Sequence, residues 1–192
     1  MSRPRSEPGA ASSGAWLNCN IGKDSEQGNI VKALKKFTSA DDILDFCIEQ
    51  EEASLRLYSA LADLMEQSEM ALLFQDLAAL EAGHKKKFQD LKESKTQLCV
   101  EANPPEIEIR DDLPPLSAGR HMGCQQAIGL AIKKEVIAAL LYTKLAEIVE
   151  DEDARNLLWA IADEERRHKH HFDAEYEKCT ITQSRHCDNN RR

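Results

Sequence analysis

Residues 80–88 read LEAGHKKKF and residues 164–172 read EERRHKHHF. Both stretches lie in segments whose apolar residues recur at helical spacing. In each, a glutamate and a histidine stand one turn apart on the side that should face a core: Glu81 with His84, and Glu165 with His168. A core stripe does not ordinarily hold such groups. An unpaired buried carboxylate is so costly that it normally takes up a proton instead.

The recurrence extends well beyond these residues. Laid over 135–172 without gaps, residues 51–88 are identical at 12 of 38 positions, where average composition gives about two or three. The chain is therefore a duplicated helical hairpin. The matched pairs include apolar residues that would form a shared core, and also Glu51/Glu135, Tyr58/Tyr142, Glu81/Glu165 and His84/His168.

With 31% charged and only 5% aromatic residues in 192, the composition favours helix over sheet. Residues 1–39 open with a Ser-, Pro-, Gly- and Ala-rich stretch and are expected to be a flexible tail. A first helix is expected from a cap at Ser39 or Asp41 to about 67, and a second from a cap at Ser68. Residues 99–121 hold four of the six prolines and read as a long connector. Third and fourth helices follow over 125–150 and 151–178, and 179–192 reads as a second tail. The expected architecture is a single all-α domain over 40–178. It is a four-helix bundle of two repeated hairpins joined by one long crossover, the ferritin-like arrangement.

The net charge of -9 argues against non-specific binding to nucleic acid or to an anionic membrane, both of which need a basic face. The longest apolar run, VIAALLY at 136–142, is far short of the ~20 residues that span a bilayer. No apolar segment of signal-peptide type follows Arg3 and Arg5, so a cytoplasmic protein is expected. The six cysteines include no CxxC pair, which removes the local signature of zinc-ribbon, rubredoxin-type and thioredoxin-type sites; free thiols are the expectation.

Following each helix at i, i+3, i+4 and i+7 places Glu51 and Tyr58 on the first stripe and Glu135 and Tyr142 on the third. The second and fourth stripes carry the Glu-x-x-His pairs. Packed together, the stripes put four carboxylates and two imidazoles in one layer. Two divalent cations would balance four carboxylates with neutral histidines. Oxygen and imidazole donors without thiolate suit iron or manganese better than structural zinc. One Glu from each of two helices and Glu-x-x-His from each of the others is the pattern of ferritin-like di-metal carboxylate proteins.

Glu seven residues before Tyr (EEASLRLY, EVIAALLY) and Glu-x-x-His a further 23 residues on (EAGH, ERRH) resemble the rubrerythrin family over about 40–178. The resemblance implies a non-haem centre of two iron ions, manganese being the lesser candidate. It would be held by Glu51, Glu81, His84, Glu135, Glu165 and His168. Tyr58 and Tyr142 are the candidate catalytic side chains, as hydrogen-bond donors to carboxylates. The implied activity is reduction of hydrogen peroxide or dioxygen. Typical members append a rubredoxin domain; this sequence has no CxxC, so the electrons would come from a separate rubredoxin-like donor. A further Glu of the family, one turn after the third-helix ligand, is Ala138 here. That departure favours a six-ligand set and leaves a non-catalytic iron-handling role, or a metal-free scaffold, as alternatives. A homodimer, with hairpin exchange permitted by the connector, is also implied.

Overall fold

The structure, a computed structural model, describes residues 31–94, 106–111 and 122–189. In chain order it contains β1 (Val31–Lys35), α1 (Ala40–Leu64), α2 (Ser68–Ser94), β2 (Ile107–Asp111), α3 (Cys124–Ile148) and α4 (Glu152–Asn189). Among the described residues no helix is long and apolar enough to cross a membrane.

Local chemistry sets the helix ends. Ser39 caps α1, its Oγ accepting the Asp42 N–H at 3.0 Å, and Asp41 and Asp42 place negative charge at the positive end of the dipole. The α1–α2 turn begins at Met65, whose backbone is extended and whose N–H donates to the Ala62 carbonyl. In the other hairpin, Asp151 accepts the Ala154 N–H at 2.9 Å and starts α4. Arg155 reaches back to the carbonyls of Val149 and Glu150 at 2.9 and 3.0 Å, satisfying groups left open at the end of α3. Each tight turn makes its two helices antiparallel neighbours, and α1 packs on α2 as α3 packs on α4.

The hairpins meet face to face, α1 opposite α3 and α2 opposite α4, as the contacts of Tyr58 with Glu135 and His84 with Glu165 show. The apolar core is divided in two. One cluster joins Ile43, Leu44, Phe88, Leu145, Leu158 and Ile161; the other joins Leu61, Phe74, Leu77, Ile128, Leu130 and Phe172. The glutamates and histidines lie between them along every helix. Each fully buried large side chain contributes about 1.5–3 kcal/mol, so the two apolar ends hold a polar middle that could not hold itself.

The four-helix bundle with one crossover is as expected, but the segments around it correct the sequence reading. Residues 31–35, expected within the flexible tail 1–39, pair antiparallel with 107–111, expected within the connector; Val31 lies opposite Asp111 and Lys35 opposite Ile107. The ribbon packs because Phe37 (1% exposed) and Ile107 (4%) enter the first core cluster. Lys35 lies over the Phe46 ring at 4.1 Å. Five-residue strands next to low-complexity and proline-rich sequence carry too little periodicity to be seen. Residues 1–30, 95–105, 112–121 and 190–192 lie outside the described residues.

The fourth helix passes its expected end at 178 and continues to Asn189, since nothing in CTITQSRHCDN breaks a helix as Pro or Gly would. Ser68 opens α2 as its first helical residue; the preceding Gln67 carbonyl accepts the first helical bond from Ala71. The expectation of free thiols also needs correction: Cys124 at the start of α3 is bonded to Cys179 on α4. Cys47 is free and buried.

Candidate metal centre

Helical periodicity brings all six expected ligands to the middle of the bundle. Glu51, Glu81, Glu135 and Glu165 are each at most 1% exposed, as is His84; the His168 side chain is 14% exposed. Their donor atoms form two groups, within each of which all atoms lie within 4.8 Å of one another. One group is Glu51, Glu81, His84 and Glu165; the other is Glu81, Glu135, Glu165 and His168. Glu81 and Glu165 belong to both. The geometry is that of two adjacent four-donor sites sharing two carboxylates, each with its own terminal Glu and His.

Whether these residues suit a metal is decided by the atoms that have no other occupation. Among the described residues, the buried side-chain polar atoms without a hydrogen-bond partner are Glu51 Oε2, Glu81 Oε1, His84 Nδ1, Glu135 Oε2, Glu165 Oε1 and His168 Nδ1. That is one atom from each of the six residues, aimed into one layer. Buried polar atoms are almost always satisfied, so six orphans converging on one place fit a bound cation pair. His84 Nδ1 approaches Glu165 at 3.2 Å, and His168 Nδ1 approaches Glu165 at 3.4 Å and Glu135 at 3.5 Å. These are close approaches of charge without hydrogen-bond alignment.

Without metal, protons take the cations' place. Burial, reinforced by Glu165, pushes the Glu135 carboxyl up to about 8. Burial likewise raises Glu81 well above the usual carboxylate range. Burial would depress the imidazolium of His168, but Glu135 and Glu165 outweigh it and raise the pKa to about 9. His84 is raised further still, burial again opposing and Glu165, Glu51 and Glu81 prevailing. Glu165 moves the other way: burial raises it, but the neighbouring Glu135, His168 and His84 outweigh that and lower it. The layer thus approaches charge balance by binding protons that a metal would displace.

The tyrosines do not serve the glutamates of their own helices. Tyr58 donates to Glu135 Oε1 and Tyr142 donates to Glu51 Oε1, each across the hairpin boundary. Both rings are fully buried and their hydroxyls are raised in pKa, by burial first and then by the neighbouring carboxylates. Each hydroxyl occupies one oxygen of a terminal glutamate and leaves the other for the centre. Each tyrosine thus donates to a carboxylate, the acceptor lying on the opposite hairpin.

One residue of the centre escaped the sequence reading. Glu164 Oε2 lies 2.6 Å from His84 Nε2, and Lys87 approaches the same carboxylate at 3.1 Å. The other imidazole nitrogen then faces the core, as in the carboxylate–histidine–metal arrangement. Within EERRHKHH, Glu164 falls beside the core stripe, and only knowledge that α4 faces α2 could have singled it out. His170 and His171 are exposed and stand apart from both groups.

The rubrerythrin family model matches residues 42–176. A Thermotoga maritima protein described as a candidate ferritin-like diiron-carboxylate protein superposes with a TM-score of 0.58 at 21% identity, covering 74% of this chain and 97% of that one. A hypothetical protein from Pyrococcus furiosus gives a TM-score of 0.54 at 27% identity, covering 72% and 89%. An uncharacterized conserved protein from Magnetospirillum magnetotacticum gives 0.55 at 22%, covering 70% and 91%. No curated protein sequence matches the chain. With the family match spanning most of the sequence and the fold shared with these structures, the chain belongs to the rubrerythrin family.

Proposed function

We propose that the protein is a non-haem di-iron redox protein that reduces hydrogen peroxide or dioxygen with electrons from an external, rubredoxin-like donor. The observation that carries this is the convergence of six orphaned donor atoms into two groups sharing Glu81 and Glu165. Glu51, His84, Glu135 and His168 would hold one ion or the other, and the shared carboxylates would hold both. When bound, two iron ions would supply the electrons for peroxide or dioxygen reduction. The chain's part is to fix the geometry and keep water out. Tyr58 and Tyr142 restrict Glu135 and Glu51 to one free oxygen each, and the apolar clusters close the layer from both ends.

Iron added anaerobically should bind at about two per chain. Peroxide should then oxidise it, and a rubredoxin-like donor should restore the reduced form. Tyr58→Phe and Tyr142→Phe should each keep metal but slow that cycle.

A second reading, iron handling without catalytic turnover, is favoured by one position. Ala138, buried one turn beyond Glu135, holds no seventh carboxylate, and its counterpart Ser54 donates to the Gln50 carbonyl at 3.1 Å. Iron uptake with no turnover on any donor would select this reading.

A further inference from the structure

Superposing the hairpins by their 84-residue repeat pairs Glu51 with Glu135, and shows that what surrounds these two ligands is not repeated. Over Glu51, the Lys85 ammonium of α2 bonds Glu52 of α1 at 2.7 Å, and Arg56 bonds the same carboxylate at 3.0 Å. The seam between α1 and α2 is bridged there by charge. The positions corresponding to Glu52, Arg56 and Lys85 are Val136, Leu140 and Lys169. Val136 and Leu140 offer no acceptor, and Lys169 instead bonds Asp173 of its own helix at 2.6 Å.

The seam between α3 and α4 lacks that bridge and is crossed instead by the Arg166 bond to Thr143 at 2.7 Å. It holds a cavity of about 280 Å³ with Glu135 and Ala139 on its inner wall, Val136 and Leu140 beside them, and Arg166, Lys169 and His170 around it. The histidines differ in the same sense. The His84 side chain is 2% exposed and backed by Glu164, whereas that of His168 is 14% exposed. The position corresponding to Glu164 is Leu80, itself 48% exposed and unable to accept a hydrogen bond.

We propose that the centre has one sealed half, at Glu51 and His84, and one open half, at Glu135 and His168, and that the α3–α4 cavity admits a small anionic ligand to the open half alone. Arg166 and Lys169 bring positive charge to the cavity's edge, where each is also paired with an aspartate of α4, and Glu135 brings the cavity to the ligand layer. This rests on the di-iron reading above and adds which half takes the exogenous ligand.

The test uses the full chain loaded with iron and oxidised, with azide as probe, read by its charge-transfer absorption and by iron content. The wild type should bind one azide per chain. Val136→Glu would set a carboxylate opposite Lys169, as Glu52 lies opposite Lys85, and should weaken azide at least tenfold with iron content unchanged. The pair Glu52→Val with Arg56→Leu copies the open seam onto the sealed half and should admit a second azide. Wild-type azide affinity in Val136→Glu with its iron in place overturns the inference, as does a Glu52→Val, Arg56→Leu chain that still binds one. A wild-type chain that takes up no iron would instead overturn the di-iron reading itself.

Discussion

The two hairpins share their candidate metal-binding residues but not what surrounds them. Each provides a Glu, a Tyr seven residues on and a Glu-x-x-His, and the repeat preserves all of these. Around them, the first hairpin carries the Glu52–Lys85 bridge and the second a cavity beside Val136 and Leu140; His84 has Glu164, while Leu80 stands at the corresponding place for His168. The helix ends differ too. Phe37 packs on Phe46 near the start of α1, whereas the start of α3 is tied to α4 through Cys124 and Cys179. The repeat gives a symmetric set of Glu and His residues, and the two halves differ in what surrounds and supports them.

The largest test of this comparison separates shared from terminal ligands. Glu165 and Glu81 belong to both donor groups, Glu51 and Glu135 to one each. Glu165→Ala should abolish binding of both ions, while Glu51→Ala and Glu135→Ala should each leave one, counted by elemental analysis after anaerobic loading. Equal losses from all three would show that the two groups do not act as separate half-sites.

A smaller effect should follow from the unequal backing of the histidines. Removing an outer-shell partner of a metal-bound histidine typically costs about 10–100-fold in affinity. Glu164→Gln should weaken the Glu51–His84 half by that factor and leave the other half nearly unchanged. Leu80→Glu should strengthen the Glu135–His168 half. Stepwise cobalt titration, with Glu51→Ala and Glu135→Ala identifying the steps, would read both.

The metal-free protein should show a third effect, through pH. His168 is raised to about 9 from an ordinary 6.5, and Glu135 to about 8 from 4.5. Both bind more protons folded than unfolded in this range, so stability falls as pH rises. The His168 contribution is complete below about 6.5 and lost through about 9. Lowered Glu165 works in the opposite direction only below its ordinary 4.5, outside this window. The Tm of the metal-free chain should therefore drop by several degrees between about pH 6.5 and 9. Metal affinity should rise over the same interval, because binding displaces those protons. A flat Tm profile would show that protons do not stand in for the cations.

The contrast between halves also shows what a sequence can carry. Bundle, hairpins and all six donor residues were legible because each is written in a local period: 3.6 for the stripes, 84 for the duplication. Glu164 was not, since its role depends on α4 facing α2, which no local pattern encodes. The tyrosines were recognised as donors but not matched to their acceptors, for the same reason. The ribbon escaped because Phe37 and Ile107 acquire a core only after the bundle has formed.

The smallest expected effect concerns Gly83, between the shared Glu81 and His84 in the stretch LEAGHKKKF. It is exposed, and a Cβ built on it would meet nothing within 4 Å. Neither a close approach nor backbone geometry explains the glycine, and its counterpart in the second hairpin is Arg167. Gly in a helix interior is less favourable than Ala by about 1 kcal/mol. Gly83→Ala should therefore stabilise the chain by roughly that amount, measured by denaturant unfolding, with metal content unchanged. If it instead weakens metal binding, local freedom of α2 beside Glu81 and His84 is part of how the first half-site closes on its ion, a property that Arg167 denies the second. The glycine would then be one more place where the halves have diverged in use while keeping the same ligands.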